Sequence, residues 1–598
     1  MSKHKDFDIN NEGYRKLIDG IKLSNKKSLE AFDGMSDEKV SFSEKYEAKI
    51  AKLLGEKKQS AAGRNGFALK FASAAAAVTL VVLISGFGVF SVLKNASAGQ
   101  SSENTDSGIE SDIAAEIVTT ADNLHFKETY DGYSFVGIGD SAEEDIVIPE
   151  SVNGKPVTEI GSSAFRDCNT VKTIVLPDTV TRIGDSAFEN CGQLTDVVMP
   201  SSIESMGRNV YTGSKNIKNV VIPEGVEIIE DYAFYQCECI TSIAIPDTVT
   251  EIGAHAFERC KHLESINIPE SVIFIGQNAF AESGIKSITV PGQLYSIDKY
   301  AFRYCEMLKS VTIEYGLKSI SERMFAGCHS LESVTIPESM TSIGKWAFLG
   351  CGSLKSITIP DRVESIGMEA FRECTKLESI TLPDSITALE RGVFYKCSRL
   401  TEVKLPANIE IISMELFAEC ISLESVSIPY GVKTIESAAF NNCTALKRVE
   451  IPDTVEEIRS SFHGCMALEE IYIPDSVRKM PGSAFSDCVN LKSVRLPNGL
   501  TRIGMMTFMG CTSLRSIVIP DSVTELYGGG SFYECTALEE VYLPAGLTLI
   551  WEKTFYGCKN LSDIYFAGTR AEWNAVEKQS EWDGKCGEYT IHCSDGDI

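Results

Sequence analysis

Apolar and polar positions recur in this chain with a fixed spacing from about Ile146 to the C-terminus. One copy reads Leu354-Lys-Ser-Ile-Thr-Ile-Pro-Asp-Arg-Val-Glu-Ser-Ile-Gly-Met-Glu-Ala-Phe-Arg-Glu-Cys374, and its proline returns 23 residues later at Pro383. The spacing slips in a few copies, as in the 22 residues between Pro269 and Pro291. About nineteen such copies follow one another, which predicts a chain of stacked coils rather than one compact core.

Each copy predicts one short strand followed by turns. Ile357 and Ile359 alternate with polar neighbours, which is typical of a half-buried strand. Pro360 stands where the chain must leave the strand ladder, because proline has no amide hydrogen to donate. Gly367 predicts a sharp bend, and Ala370-Phe371 predicts a single helical turn that closes the coil. A period of roughly 20–29 residues with this Leu-x-x-Ile-x-Ile pattern is typical of a leucine-rich-repeat solenoid.

Two further positions of the repeat form columns down the stack. Phe371 and Phe394 belong to a phenylalanine column, and Cys374 and Cys397 belong to a cysteine column three residues later. The cysteine column holds 16 of the 19 cysteines, all except Cys239, Cys586 and Cys593. We expect both columns to be buried between neighbouring coils, since no single repeat can bury these side chains alone.

These columns resemble the BspA-like leucine-rich-repeat family of bacterial surface proteins, and the resemblance covers roughly residues 123–598. The opening stretch Gly154-Lys-Pro-Val-Thr-Glu-Ile-Gly161 and the closing stretches Ala571-Glu-Trp-Asn574 and Thr590-Ile-His-Cys593 also resemble first and last units of that family. The resemblance implies an extracellular adhesion or protein-binding role and no reaction.

The regular placement of the cysteines favours a structural role over disulfide bonding. A buried free cysteine packs as a small hydrophobe under the next coil. On this interpretation a serine at Cys374 would leave a buried hydroxyl without a partner and would cost more stability than an alanine. Cys586 and Cys593 stand outside the predicted column, so the sequence leaves open whether they form a disulfide.

The N-terminal region predicts a membrane-anchored topology. Residues 1–65 contain two short amphipathic patterns and are predicted to be a cytoplasmic helical segment. Residues 66–95 are predicted to be one transmembrane helix, because the 23 residues from Phe71 to Leu93 carry no charge. Basic residues precede this span and a Ser- and acid-rich linker (96–122) follows it, which places the repeats outside the cell. A cleaved signal peptide is the alternative, with Ala96-Ser97-Ala98 as its cleavage site.

Charge and motifs argue against several functions. Residues 1–65 carry 14 Lys+Arg against 11 Asp+Glu; the remainder, with Lys70 and Lys94 set aside, carries 40 against 72. A surface this acidic argues against a nucleic-acid partner. The seven histidines form no column, and no metal, phosphate-loop or nucleophile motif is present in the sequence. We therefore expect no catalytic residue, no metal and no cofactor.

The exposed residue at the centre of each predicted strand marks a candidate binding surface. It is threonine in five successive copies from Thr289 to Thr381, but becomes Tyr472, Arg495, Tyr542 and Tyr565 toward the C-terminus. Tyrosine and arginine are frequent interface hot spots. The alternative is that aromatic residues here only favour strand formation.

The sequence as a whole predicts a β-rich α/β solenoid, with a leucine-rich-repeat array at 123–559 and a C-terminal capping unit at 560–598. The first functional hypothesis is a surface protein that binds a protein or glycan of a host or neighbouring cell. The second is a transmembrane signalling protein whose residues 1–65 hold a cytoplasmic partner such as a sigma factor; this rests on architecture loosely similar to that of membrane-bound sigma-factor antagonists.

Overall fold

The computed structural model describes residues 117–598, apart from 121, 141 and 142. The predicted cytoplasmic segment 1–65, the predicted span 66–95 and most of the predicted linker 96–122 lie outside the described residues. A search of the described part finds no candidate for a membrane-spanning helix. That part is a parallel β-solenoid whose typical coil carries two short strands and one turn segment. Ordered structure already includes Ile117–Thr119, which the sequence had assigned to the linker.

The first strand row contains the strands of the Ile-x-Ile position. The row is divided into several short sheets, and within each sheet successive strands of the row pair in parallel with equivalent residues opposite each other, as Ile243 does with Ile266. The row comprises β4 (Asp145–Val147), β7 (Thr173–Val175), β9 (Asp196–Val198), β12 (Ser242–Ala244), β14 (Ser265–Asn267), β16 (Ser287–Val290), β18 (Ser310–Ile313), β20 (Ser333–Thr335), β23 (Ser379–Thr381), β25 (Glu402–Lys404), β27 (Ser425–Ser427), β29 (Arg448–Glu450), β31 (Glu470–Tyr472), β32 (Ser493–Arg495), β34 (Ser516–Val518), β36 (Glu540–Leu543), β38 (Asp563–Phe566) and β40 (Thr590–Cys593).

A second strand row, which the sequence pattern did not predict as strands, runs along another side of the coils. Each member except the last, β39, ends on a buried apolar residue such as Ile366. The row comprises β6 (Lys155–Ile160), β8 (Arg182–Ile183), β10 (Ser205–Met206), β11 (Ile228–Ile229), β13 (Glu251–Ile252), β15 (Phe274–Ile275), β17 (Ser296–Ile297), β19 (Ser319–Ile320), β21 (Ser342–Ile343), β22 (Ser365–Ile366), β24 (Ala388–Leu389), β26 (Ile411–Ile412), β28 (Thr434–Ile435), β30 (Glu457–Ile458), β33 (Arg502–Ile503), β35 (Glu525–Leu526), β37 (Leu549–Ile550) and β39 (Glu577–Lys578).

The third side of each coil, called here the turn side, is not helical, so the predicted helical turn at Ala370-Phe371 is wrong. Glu369 and Glu373 have φ of 53° and 62°, which an α-helix does not allow. The amide of Phe371 instead donates to the carbonyl of Val393 in the next coil at 3.0 Å, while the amide of Cys374 closes a turn on Phe371. Along the turn side the amides therefore alternate between two roles: one donates to the next coil, and the following one closes a turn within its own coil. Among the described residues one α-helix is present, α1 at Arg570–Ala575.

Two other expectations fail in the coil of Leu354. No strand forms between residues 354 and 360, although Ile357 and Ile359 remain only 7% and 5% exposed. The alternation of apolar and polar side chains determines which of them are buried. A strand also requires the backbone of a neighbouring coil within hydrogen-bonding distance. Gly367 does not have a positive φ; a Cβ there would lie 2.7 Å from the backbone nitrogen of Lys345. The glycine therefore permits close approach of two coils rather than a bend.

Stacked aromatic rings form the centre of the solenoid. Phe371 and Phe394 are fully buried, and their ring centroids lie 5.9 Å apart with planes at 8°. Comparable stacking runs without interruption from Phe135 to Phe555. Tyr211 occupies one slot, and its hydroxyl is buried with no hydrogen-bond partner within the described residues.

Different elements cover the two ends of the stack. At the N-terminal end, β1 (Ile117–Thr119), β2 (His125–Glu128) and β3 (Tyr133–Gly137) form an antiparallel extension of the second row, and β5 (Ser151–Val152) pairs with β6. At the C-terminal end, β41 (Gly596–Asp597) pairs antiparallel with β40, and α1 buries Trp573. Such caps protect the open edges of a solenoid from further pairing. Both strand rows continue through 560–598.

Candidate ligand-binding surface

The predicted binding residues lie on the first strand row and face outward. Tyr472 is 57% exposed and Tyr542 is 36% exposed, while Arg495 is exposed and Tyr565 is half-buried. Their orientation follows from the alternation of the strands, because each lies between two inward-facing apolar residues. The structure therefore places all four on one side of the solenoid.

Tyr472 and Arg495 form the first of two clusters on this row. They are opposite each other in paired strands β31 and β32, and the guanidinium carbon lies 4.7 Å from the centre of the tyrosine ring. Arg495 also donates to Asp475 at 2.9 Å and to the carbonyl of Ile473 at 3.3 Å. The bond to Asp475 raises the pKa of Arg495. These contacts hold the guanidinium over the ring, and the Arg495 side chain remains exposed to solvent.

Tyr542, Tyr565 and His592 form the second cluster, an aromatic stack in register across three paired strands. The centroids of Tyr542 and Tyr565 are 4.7 Å apart, and those of Tyr565 and His592 are also 4.7 Å apart. His592 was not among the residues predicted from the sequence. The signal was available, because Thr590-Ile-His-Cys593 repeats the pattern of Asp563-Ile-Tyr-Phe566.

Val518, which is 63% exposed, separates the two clusters. Strands β31 and β32 form one sheet, and β34, β36, β38, β40 and β41 form another. The predicted stripe therefore consists of a tyrosine–arginine pair on one sheet and an aromatic stack on the next. We refer to the row from Tyr472 through Val518 to His592 as the exposed row.

Carboxylates surround the exposed row and fix its polar atoms. Tyr542 donates to Glu540 at 2.9 Å, and this bond raises the pKa of the Tyr542 phenol. His592 has ring nitrogens 2.8 Å from Asp563 and 2.9 Å from Asp597, and its hydrogen bond with Asp563 is the main cause of its raised pKa. The surface offers aromatic area, one guanidinium and several acceptors, which suits binding. Within the described residues, no group of three or more His, Cys, Asp or Glu is arranged to hold a metal ion.

The cysteine column lies inside the solenoid, away from this surface. Cys374 and Cys397 are fully buried, and burial raises the pKa of Cys374 well above that of a free thiol. Each thiol donates to a phenylalanine carbonyl of the preceding coil, Cys374 to Phe348 at 3.3 Å and Cys397 to Phe371 at 3.1 Å. The column thiols are therefore hydrogen-bonded as well as packed. The prediction that they pack as small hydrophobes did not include these hydrogen bonds.

One cysteine question that the sequence left open has an answer in the structure, and the expectation that Cys586 stands outside the column is wrong. All cysteines are free thiols, so Cys586 and Cys593 form no disulfide. Cys586 also belongs to the column, because its thiol donates to the carbonyl of Phe555 at 2.9 Å as the other members do. The sequence hid this membership, since 28 residues separate Cys586 from Cys558 instead of 23.

The fold and the exposed row together define a leucine-rich-repeat solenoid with a solvent-facing surface suited to binding. The family profile described as BspA type Leucine rich repeat region (6 copies) matches residues 138–243, 227–355, 341–462 and 458–575. These stretches cover most of the chain, so the chain belongs to the BspA-type leucine-rich-repeat family.

Solved structures also resemble this chain. A leucine-rich repeat protein from Bacteroides ovatus is 24% identical, with a TM-score of 0.38, and the match covers 81% of this chain and 100% of that one. A leucine rich cell surface protein from Faecalibacterium prausnitzii is 26% identical, with a TM-score of 0.27 and coverage of 77% and 97%. A leucine-rich repeat protein from Eubacterium ventriosum is 20% identical, with a TM-score of 0.33 and coverage of 60% and 87%. A comparison with curated proteins finds no match.

Proposed function

We propose that this chain is a non-enzymatic cell-surface protein that binds a protein or glycan of a host or neighbouring cell through the exposed row. The observation that carries the proposal is the solvent-facing stack of Tyr542, Tyr565 and His592 beside the pair of Tyr472 and Arg495. Tyrosine and arginine held rigidly in solvent lose little conformational freedom on binding, which favours affinity.

The size of the row sets the scale of the contact. Its six positions span about 24 Å, at about 4.8 Å per strand step. A typical interface buries about 800 Å² on each partner. Flanking exposed residues, including Glu450 and Glu470, therefore have to contribute to a stable complex.

A binding screen with matched variants tests this proposal. The full-length chain is applied to a panel of matrix proteins and glycans, and each captured ligand is titrated against the wild type and an Arg495→Ala/Tyr542→Ala variant. Loss of two aromatic or charged contacts is expected to weaken binding about tenfold or more. Thr335→Ala, on the same row but in the threonine region, is the control and should bind as the wild type does. Equal binding by all three proteins would place the ligand site elsewhere.

The proposal includes a membrane anchor with the repeats outside the cell. It is supported by the uncharged stretch from Phe71 to Leu93 and by the basic residues that precede it. Protease added to intact cells should remove the repeats and spare an epitope tag placed before residue 65. A mature protein that begins near Gly99 would instead indicate a cleaved signal peptide.

A further inference from the structure

A separate group of aromatic and basic side chains lies on the turn side of the solenoid. Three cations surround the half-buried ring of Tyr300: Lys299 at 5.6 Å, Arg303 at 5.4 Å and Arg323 at 5.6 Å from the ring centre. Arg323 also donates to the Tyr300 hydroxyl at 3.2 Å. This convergence of positive charge occurs in a chain with a net charge of −27.

Two more rings hold the guanidinium groups in place. Arg303 lies 4.4 Å from the ring centre of Tyr304, which is 42% exposed. Arg323 lies 4.3 Å from the ring centre of Trp346. A ring below a guanidinium restricts its movement. Arg303 also donates from Nη2 to the Tyr304 hydroxyl at 3.2 Å, and a guanidinium has further N–H groups that can donate to a ligand. We call Lys299, Tyr300, Arg303, Tyr304, Arg323 and Trp346 the cationic cluster.

The three cations of the cluster differ from neighbouring arginines in lacking carboxylate partners, whereas Trp346 donates from Nε1 to the Glu369 carboxylate at 3.3 Å. Arg259 and Arg391, on the same side of the solenoid, form ion pairs with Glu282 at 3.0 Å and Glu415 at 2.9 Å. Within the described residues, none of the three cations of the cluster lies within ion-pair distance of a carboxylate. Three like charges around one ring repel each other. An anionic partner would relieve that repulsion.

Beside the cluster, two glycines leave the surface open. Gly327 makes room for the Tyr304 ring, because a Cβ there would lie 2.0 Å from that ring in its present position. Gly350 is different: a Cβ would meet nothing closer than His329 at 3.5 Å. Its positive φ does not require glycine either, since Glu373 in the next coil has φ of 62° at the equivalent position. The repeat therefore tolerates a side chain at position 350. Because the residue there is glycine, a patch of backbone next to the cations stays uncovered, and we call this patch the glycine floor.

We infer that the cationic cluster binds an acidic polysaccharide, whose carboxylate or sulfate groups pair with Arg303 and Arg323. Guanidinium groups recognise such planar or tetrahedral oxyanions with two parallel hydrogen bonds. The apolar C–H face of a sugar ring would lie on the glycine floor at Gly350 and against the edge of Trp346. This site does not depend on the exposed row.

Other anionic partners fit less well. Strong binding of nucleic acid commonly uses about six to ten phosphate contacts, and the cluster offers three cations. A folded acidic protein needs about 800 Å² of complementary surface, but acidic side chains such as Glu373 and Glu419 follow the cluster along the turn side. A saccharide needs only the small open area that is present.

The test uses the full-length chain and two immobilised probes, heparin as a sulfated polysaccharide and polygalacturonate as a carboxylated one. The wild type is expected to bind at least one of them, with affinity that falls as salt rises. Arg303→Ala/Arg323→Ala should weaken binding about tenfold or more, since two charged hydrogen-bonding groups are lost. Gly350→Glu should weaken binding similarly, because it places a carboxylate on the floor.

Matched controls separate the cluster from general charge and folding effects. Arg259→Ala removes a paired turn-side arginine, Gly557→Glu adds a carboxylate at an equivalent position in another coil, and Thr335→Ala alters the first strand row outside the exposed row; all three should bind as the wild type does. If the double arginine variant fails to fold, Gly350→Glu decides the question. The inference is overturned if neither probe binds at low salt, if Arg259→Ala is as damaging as the cluster variants, or if polyglutamate or a single-stranded oligonucleotide binds more tightly.

Discussion

Substitution of Cys374 tests how the cysteine column stabilises the solenoid. The thiol is fully buried and donates to the carbonyl of Phe348 at 3.3 Å, but that carbonyl also accepts from the amide of Cys351 at 3.1 Å. Removing the thiol therefore leaves no backbone group unpaired. Cys374→Ala should cost about 1–2 kcal/mol of unfolding free energy, from the lost buried volume alone.

The serine variant distinguishes this account from a purely hydrophobic column. Ser214 already occupies the column, where its hydroxyl donates to the carbonyl of Phe188 at 2.6 Å and accepts from the amide of Cys191 at 2.9 Å. A serine at 374 would find the equivalent partners, so the hydroxyl would be satisfied. Cys374→Ser should fall within about 1 kcal/mol of Cys374→Ala, since a buried hydrogen bond offsets most of the desolvation.

Urea denaturation followed by circular dichroism measures the two variants, and a thiol reagent measures access in the native state. Burial raises the pKa of most column thiols, to about 12 for Cys260 and Cys535, so labelling of most column thiols in folded protein should be slow. A serine variant less stable than the alanine variant by more than about 2 kcal/mol would refute the hydrogen-bonded column. Rapid labelling of most column thiols in folded protein would refute their burial.

Three further predictions follow from single contacts. Tyr211→Phe should raise the unfolding free energy by about 1 kcal/mol, because it removes a buried hydroxyl without a partner; a loss of stability would contradict the assignment. Gly367→Ala should lower the melting temperature measurably, since its Cβ would lie 2.7 Å from the backbone of Lys345, whereas an unchanged melting temperature would show that the coils can separate. The raised pKa of His592 means that its contacts with Asp563 and Asp597 stabilise the folded state below the unfolded-state pKa of about 6.5 and are lost as pH rises through the folded-state pKa. His592→Gln should therefore reduce stability at acidic pH more than at alkaline pH, as thermal melts across pH would measure.

The repeat made much of the fold predictable. Burial of Phe371 and outward placement of Tyr472 both follow from the periods of the sequence, because stacking and strand alternation act identically in every copy. The turn at Phe371 was not predictable in the same way. Positive φ at Glu369 and Glu373 is imposed by inter-coil hydrogen bonds, and neither residue type signals that conformation.

Irregular copies hid other features of the site. His592 and Cys586 occupy the same repeat positions as Tyr565 and Cys558. They follow those residues by 27 and 28 positions, however, so a search with a period of 23 residues does not find them. The cationic cluster escaped detection because its residues lie in different slots of the repeat. Only the geometry of the turn side brings Lys299, Arg303 and Arg323 around one ring.

Chemical footprinting of the exposed row in a ligand complex tests the central claim most directly. Tyrosine nitration of the full-length chain, read by mass spectrometry with and without a ligand from the binding screen, reports the exposure of each tyrosine. Tyr472 and Tyr542 should lose reactivity in the complex, while Tyr130, which is 96% exposed at the opposite end of the repeats, should not change. Unchanged reactivity of Tyr472 and Tyr542 in a saturated complex would show that the ligand binds elsewhere.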